Sequence, residues 1–190
     1  MAGNLQGKRI AILATDGFEQ AELMEPRKAL EKAGAATEVI APKSGDGGKK
    51  TIRGWNVKEW GETVKVDKTL DEAKTQDYDA LVLPGGVMNP DHLRMEPKAV
   101  GFVKNFVATG RTVAVICHGP WTLVEAGVVK GKTMTSWPSV KTDLQNAGAN
   151  WVDKEVVTDG QFISSRKPDD LPAFNRTLIE ALEKVKEKAA

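Results

Sequence analysis

The chain alternates short apolar runs with longer stretches in which apolar residues recur at helical spacing. Apolar, β-branched runs at 8–14, 37–41, 79–86 and 112–116 have the length of strands buried on both faces. Helical patterns occupy 19–33, 99–109, 138–147 and a closing segment that begins at Asp169 or Asp170 and runs to about 188. This alternation predicts an α/β fold with a doubly wound, mostly parallel sheet between helices.

Two further regions have the alternating pattern of antiparallel hairpins. Segments at 51–58 and 63–66 predict a small hairpin appended to the main sheet, and 155–165 predicts two strands around an Asp-Gly turn. Trp55 and Trp60 lie in the first hairpin, where they either cover a sheet face or contribute to a subunit interface. The remaining predictions are a helix at 70–76, a loop at 89–92, a short strand at 132–136 and a kink or break at Pro26.

The strand at 112–116 ends at Cys117, the only cysteine of the chain, and a helical pattern begins at Pro120. Gly119 allows a tight turn, and proline suits the first position of a helix because its missing N–H has no partner there. The thiol is therefore predicted at a helix N-terminus, which favours the thiolate. A helix terminus lowers a thiol pKa by at most about 1.5 units, so strong activation needs another group, and His118 is the nearest.

Three loops are predicted to converge at the carboxyl ends of the parallel strands, where α/β sheets bind their ligands. They contain the segment 16–19, the Gly85-Gly86 pair and the Cys117-His118 pair. The two glycines either form a plain turn or bring free N–H groups close to a ligand. The first loop lacks the G-x-G-x-x-G pattern of dinucleotide sites, and we expect no cofactor and no metal.

Composition narrows the class of protein. The chain has 190 residues, 41% of them apolar and 28% charged, and we expect a single domain that spans 1–190. Its net charge of +1 indicates neither a nucleic-acid nor a membrane partner. With one cysteine, no signal-peptide pattern and no apolar run of about 20 residues, the sequence favours a reducing cytoplasm.

Four segments together resemble the PfpI-type intracellular proteases of the DJ-1 superfamily, over about 8–182 of the chain. They are the elbow at 115–120, the Leu-Pro-Gly-Gly segment at 83–86, the Phe18-Glu19 pair and the late segment 164–171. The resemblance implies a flavodoxin-like sandwich and a homo-oligomer, either a dimer or a larger assembly such as a hexamer. It also implies a stress-linked activity on reactive aldehydes, glycated adducts or peptides.

The resemblance also implies roles for individual residues. Cys117 would be the nucleophile, with His118 beside it and the N–H groups of Gly86 and His118 as oxyanion donors. The family draws the acid that orients the histidine from a neighbouring subunit, and Asp91 matches by position. Asp91 is shorter than the Glu expected there, with one extra loop residue before it, which weakens the case for a hydrolytic triad.

Glu19 is the acid that the resemblance places beside the thiol. An ionised carboxylate there would raise the thiol pKa, so Glu19 would help only if burial keeps it protonated. A neutral Glu19 could donate a hydrogen bond to the thiolate and later act as general acid or base. The alternative is an ordinary glutamate at the start of a helix, where the helix dipole stabilises its negative charge.

The residues serve three related activities: glyoxalase, deglycase and cysteine peptidase. A different class of function is a non-catalytic redox sensor or chaperone in which Cys117 oxidises to a sulfinic acid. A glutamine amidotransferase would need a distant His and Glu pair near the end of the chain. The only histidines are His92 and His118, so we set this class aside.

Overall fold

The computed structural model describes residues 4–43 and 51–189, with side chains described as far as residue 185. The strands are β1 (Arg9–Leu13), β2 (Phe18–Glu19), β3 (Ala36–Ala41), β4 (Thr51–Asn56), β5 (Glu59–Lys65), β6 (Lys68–Thr69), β7 (Ala80–Leu83), β8 (Thr112–Ile116), β9 (Thr133–Met134), β10 (Asn150–Trp151), β11 (Val156–Asp159) and β12 (Phe162–Ser165). The α-helices are α1 (Gln20–Lys32), α2 (Met88–Arg94), α3 (Pro97–Ala108), α4 (Pro120–Glu125), α5 (Lys141–Asn146) and α6 (Leu171–Ala189).

Seven of the described strands form the central sheet, in the order β11-β12-β8-β7-β1-β3-β6. Each neighbouring pair is parallel except β11 with β12, which is antiparallel. The inner order β3-β1-β7-β8-β12 is the flavodoxin-like arrangement, and the confirmed α/β prediction places the ligand crevice where this order reverses, beside β1 and β7. The loops after β1, β7 and β8 therefore meet at one edge of the sheet.

The sheet is buried on both faces by two apolar layers. Leu23, Leu30, Phe174 and Leu178 come from α1 and α6 and pack on one face. The other face is covered by α2, α3, α4 and α5, through a second cluster that includes Leu93, Phe102, Phe106, Leu123 and Leu144. Every residue of β7 and β8 is buried, because both faces of these strands are covered. This explains their continuous apolar runs.

Both predicted hairpins are confirmed, although the first joins a different sheet from the one expected. Strands β4 and β5 pair antiparallel, and β4 also pairs with β2 to make a separate three-stranded sheet. The pairing of Phe18 with Gly54 holds this small sheet against the start of α1. The hairpin therefore stands beside the loop that follows β1, at the crevice edge.

Two local predictions are wrong, and one of the two alternatives for Pro26 is also wrong. The segment 70–76 forms turns and a 3₁₀ helix at Thr75–Asp77 rather than a helix. The expected loop at 89–92 lies within α2, where the buried Asn89 side chain accepts from Thr15 N–H at 2.8 Å and donates to Pro84 O at 3.0 Å. Pro26 does not split α1, because burial of one helix face compensates for one missing hydrogen bond, and the predicted kink stays a prediction.

None of the helices in the described part of the chain is both long enough and apolar enough to cross a membrane. Cys117 is buried and free.

Candidate active site

Cys117 occupies a sharp turn between β8 and α4. Its φ of 62° is a left-handed conformation that non-glycine residues rarely adopt. Two hydrogen bonds hold it there: Cys117 N–H donates to Ser165 O at 3.1 Å, and Cys117 O accepts from Trp137 N–H at 2.9 Å. Such strain persists where surrounding contacts determine the backbone, and it is typical of functional sites. The turn presents the thiol to the crevice as predicted.

Two glycines allow the loops to approach this turn. A Cβ on Gly119 would lie 2.7 Å from Leu83 O, and one on Gly85 would lie 2.6 Å from Cys117 Cβ. Real Cβ atoms do not approach other atoms so closely, so any side chain would push the strand ends apart. The glycines of the Leu-Pro-Gly-Gly segment and of the elbow are thus needed for close packing of β7 against the elbow.

The carboxyl group beside the thiol belongs to Glu22, in the first turn of α1. Glu22 is fully buried, and its Oε2 accepts from Gly85 N–H at 2.8 Å. The carboxyl group lies close enough to the Cys117 thiol for each to influence the pKa of the other, and its Oε1 is buried without a hydrogen-bond partner. Burial raises the pKa of Glu22 to about 8, since the charged form would lose its hydration. Glu22 is therefore mainly protonated at neutral pH.

His118 contacts the thiol as expected, although it is the next residue along the chain. Its Nδ1 lies 3.1 Å from Cys117 Sγ, and its Nε2 lies 3.3 Å from Ser139 Oγ. The ring packs edge-on against Trp121 and roughly parallel to Trp137, with ring centroids 5.1 and 6.0 Å away. Burial lowers the pKa of His118, so the imidazole is neutral and one nitrogen is free to accept a proton.

The two backbone groups predicted as oxyanion donors both reach the sulfur. The N–H groups of Gly86 and His118 hydrogen-bond the Cys117 thiol and by themselves lower its pKa. Burial and the nearby Glu22 carboxyl act in the opposite direction and raise the pKa of Cys117. The predicted helix-terminus effect does not dominate, because α4 has only six residues and Cys117 is largely buried. Cys117 consequently rests as a thiol that needs a base.

The predicted contact between Glu19 and the sulfur is wrong, because Glu22 makes it. Glu19 lies at the residue before α1, half-buried, and accepts a hydrogen bond from Val57 N–H. Burial raises the pKa of Glu19 as well. The missed signal was spacing: Glu22, Pro26 and Leu30 recur every four residues on the buried face of α1, and Glu19 precedes the helix.

Asp91 lies in the first turn of α2 and is exposed. In this chain it does not line the pocket that holds Cys117. Within this chain, Nδ1 of His118 faces the thiol and Nε2 faces Ser139. The contribution of Asp91 from a neighbouring subunit stays a prediction.

The sulfur opens into a pocket of about 490 Å³ with two distinct parts. We call Glu22, Gly86, Cys117 and His118 the floor, because all four are buried. We call Trp55, Val57 and Trp137 the rim, because they are partly or largely exposed. Glu19, Val87, Met88 and Pro168 complete the lining. No group of three or more potential metal-ligating side chains occurs in the described ranges.

Comparisons with known proteins agree with this geometry. A family model described as DJ-1/PfpI family matches residues 8–181. General stress protein 18 of Bacillus subtilis is 42% identical over 179 residues, which cover 94% of this chain and 99% of that protein. Protein/nucleic acid deglycase 2 of Escherichia coli is 42% identical over 176 residues, covering 92% and 98%. Putative cysteine protease YraA of Bacillus subtilis is 42% identical over 175 residues, with the same coverage.

Solved structures show the same fold. A two-domain protein of Anabaena variabilis, with DJ-1/ThiJ/PfpI-like and ferritin-like domains, superposes with a TM-score of 0.84 and 34% identity. That match covers 92% of this chain and 48% of the Anabaena chain. Schizosaccharomyces pombe DJ-1 has a TM-score of 0.78 at 21% identity, covering 95% and 97% of the two chains, and supports the fold alone. Together the relatives' names support a stress-related enzyme of the hydrolase or lyase type.

Proposed function

Because the chain belongs to the DJ-1/PfpI family, we propose that it is a cysteine-dependent enzyme that converts reactive α-oxoaldehydes, and the early adducts they form on amines, to hydroxy acids. One observation carries the proposal. The Cys117 sulfur is surrounded by a proton acceptor at 3.1 Å, a neutral carboxyl group and two backbone N–H donors. These groups match the needs of addition to a carbonyl carbon.

The first step is addition of the sulfur to the aldehyde carbon. The thiol proton passes to Nδ1 of His118 as the carbon–sulfur bond forms, and the carbonyl electron pair moves to oxygen. The N–H groups of Gly86 and His118 are available to that oxygen, which then takes the proton back from Nδ1. The product is a neutral hemithioacetal.

The second step is an internal redox change that needs no outside oxidant. Glu22, whose pKa of about 8 keeps it protonated at neutral pH, gives its proton to the neighbouring carbonyl oxygen as it takes the proton of the former aldehyde carbon, which forms an enediol. It then gives that proton to the neighbouring carbon as it takes the hydroxyl proton of the first carbon. The first carbon is thereby oxidised to a thioester and the second is reduced to an alcohol. Water hydrolyses the thioester and restores the thiol, so methylglyoxal plus water becomes lactate. When the substrate is an amine adduct, the bond between the amine nitrogen and the former aldehyde carbon also breaks, and the amine leaves.

The size of the pocket and the apolar side chains around its mouth support small substrates rather than long peptides. The hairpin residues Trp55 and Val57 and the opposite residue Trp137 surround the sulfur in a concave pocket of about 490 Å³. An extended peptide needs an open groove with backbone partners on both sides of the nucleophile. The peptidase activity in the name of one relative is therefore the second candidate for this chain.

A paired assay tests the proposal. The purified protein is incubated with methylglyoxal and, separately, with a fluorogenic peptide, and lactate and fluorophore are measured. We expect lactate formation that is lost in Cys117→Ala, without peptide cleavage. Peptide cleavage lost in the same variant, without lactate, would favour the peptidase. Neither product, together with peroxide oxidation confined to Cys117 in intact mass, would favour the redox sensor.

We also propose that the protein is a homo-oligomer in the cytoplasm, in which Asp91 of a neighbour approaches the pocket. Its exposed position on α2 leaves it available to a second copy. A single free cysteine suits a reducing compartment. Light scattering of the purified protein tests the assembly, and a monomer at micromolar concentration would contradict it.

A further inference from the structure

Both ring nitrogens of His118 have a partner within one chain. Nδ1 faces Cys117 Sγ at 3.1 Å, and Nε2 faces Ser139 Oγ at 3.3 Å. A neutral imidazole carries a proton on one nitrogen and a lone pair on the other, and the partner of one nitrogen selects the state of its opposite. Because Cys117 rests as a thiol, its S–H can donate to Nδ1, which leaves the ring proton on Nε2, facing the Ser139 hydroxyl.

The position of Ser139 is coupled to the elbow itself. Ser139 lies in the 3₁₀ helix Pro138–Val140, directly after Trp137. Trp137 N–H donates to Cys117 O at 2.9 Å, and Val140 N–H donates to Trp137 O at 3.0 Å. The segment that carries the hydroxyl is thus hydrogen-bonded to the residue that carries the sulfur. Any shift of the elbow moves both ends of the Cys117, His118 and Ser139 chain together.

The plane of the imidazole is set separately by aromatic packing. Trp121 lies edge-on at 5.1 Å and Trp137 nearly parallel at 6.0 Å, with an angle of 23° between the planes of His118 and Trp137. These contacts limit rotation of the ring, but apolar ring surfaces do not choose between its two neutral tautomers. The thiol proton at Nδ1 favours the Nε2–H tautomer, and the Ser139 hydroxyl, 3.3 Å from Nε2, can stabilise that tautomer by accepting.

We propose that Ser139 is a positioning residue that accepts a hydrogen bond from the protonated Nε2 of His118 and so keeps the Nδ1 lone pair directed at the Cys117 thiol. The inference rests on the proposed function for its kinetic consequence, because it names the residue that prepares the base for sulfur addition. The Asp91 side chain of a neighbour would have to compete with Ser139 for the same nitrogen.

A hydroxyl partner has a chemical consequence that a carboxylate would not have. A carboxylate at Nε2 stabilises the imidazolium, which must persist while an amine leaves during amide hydrolysis. A neutral hydroxyl gives no such charge stabilisation, so His118 holds a proton only briefly before returning it. This suits addition to an aldehyde, whose carbon is already electrophilic, better than cleavage of a peptide bond.

The test compares Ser139→Ala with Ser139→Thr, which keeps a hydroxyl. Side-chain ¹⁵N spectra report the tautomer, and the chain contains only two histidines, of which His92 is exposed and serves as an internal reference. We expect the Nε2–H tautomer for His118 in the parent and in Ser139→Thr, and a mixture in Ser139→Ala. We expect kcat for methylglyoxal to fall on the order of 10-fold to 100-fold in Ser139→Ala with KM unchanged.

A matched control removes another exposed hydroxyl from the following helix, Thr142→Ala, which should leave spectrum and kinetics as in the parent. An unchanged tautomer in Ser139→Ala would overturn the proposal. Equal losses of kcat in Ser139→Ala and Ser139→Thr would also overturn it. So would a change of the His118 tautomer in Asp91→Asn that is not seen in Ser139→Ala. If the parent converts no aldehyde, the proposed function fails, whereas the tautomer and the rate of Cys117 alkylation by iodoacetamide still decide the role of Ser139.

Discussion

The floor and the rim of the pocket differ in how far their residues are buried and in what holds them in place. The floor is buried, and its groups are fixed by backbone hydrogen bonds and by glycines that let the loop after β7 pack against the Cys117 turn. The rim consists of apolar side chains that remain in contact with water, with Val57 70% exposed and Trp137 38% exposed. Under the proposed function, the buried groups of the floor transfer the protons and the rim selects which substrate reaches them. Glu22 belongs to the floor, whereas Glu19, about one helical turn earlier, is half-buried and lies outside it.

The sharpest way to test the division is to neutralise each acid in turn. Glu22→Gln keeps the shape and a hydrogen-bond donor but cannot move a proton, so we expect kcat/KM for methylglyoxal to fall by roughly 10²-fold to 10⁴-fold. Glu19→Gln, which changes the half-buried acid beside Val57, should reduce it by less than about 10-fold. Steady-state kinetics measured on both variants tests this difference in kcat/KM. A larger loss for Glu19 than for Glu22 would place the reacting carboxyl outside the floor.

Close packing of the floor is tested by adding one methyl group. In Gly85→Ala the new Cβ would lie 2.6 Å from Glu22 Oε2 and 2.8 Å from Ile116 O. We expect a loss of roughly 1–3 kcal/mol in the free energy of unfolding, measured by urea denaturation, together with loss of activity. Gly101→Ala is the control, since its Cβ meets nothing within 4 Å in α3, and it should stabilise by up to about 1 kcal/mol. Equal stability of the two variants would contradict the packing.

The buried acid of the floor should also appear in the pH dependence of stability. The pKa of Glu22 rises from 4.5 to about 8 on folding, so between these values the folded state holds a proton that the unfolded state has released. The contribution of Glu22 to stability is complete below pH 4.5 and is lost as the pH rises towards 8. Urea denaturation across this range should show Glu22→Gln gaining stability relative to the parent as pH rises. A constant difference would mean that Glu22 is ionised in the folded protein.

The smallest expected effect concerns the rim. Trp55→Ala removes an apolar wall without touching the sulfur, so KM for an aldehyde should rise by roughly 10-fold or less with kcat unchanged. Trp60→Ala is the matched control, because Trp60 packs edge-on against Trp55 at 5.5 Å but does not line the pocket. Equal effects of the two variants would mean that the hairpin as a whole, and not Trp55, determines KM.

Much of this architecture could be predicted before the structure. The apolar runs predicted β1, β3, β7 and β8, since strands covered on both faces exclude polar residues. The change at Cys117 from strand to helix pattern located the elbow, whereas the sequence left open whether the two glycines after β7 form a plain turn or a close approach. The errors at 70–76 and 89–92 lie between core elements, where side-chain contacts made elsewhere decide the local conformation.

The sequence by itself determined the order of strands and helices and the location of the thiol, because periodicity and turn residues act over a few neighbours. Only the tertiary structure decided which acid reaches the sulfur. Glu19 and Glu22 are both acidic and both lie near the start of a helix. Glu19 interacts with the Val57 N–H, whereas Glu22, three residues later, accepts from the Gly85 N–H. The same holds for Ser139, which is 21 residues from His118 and meets it only because the chain returns to the elbow. Contacts between distant segments depend on packing of the whole core, and local patterns do not encode them.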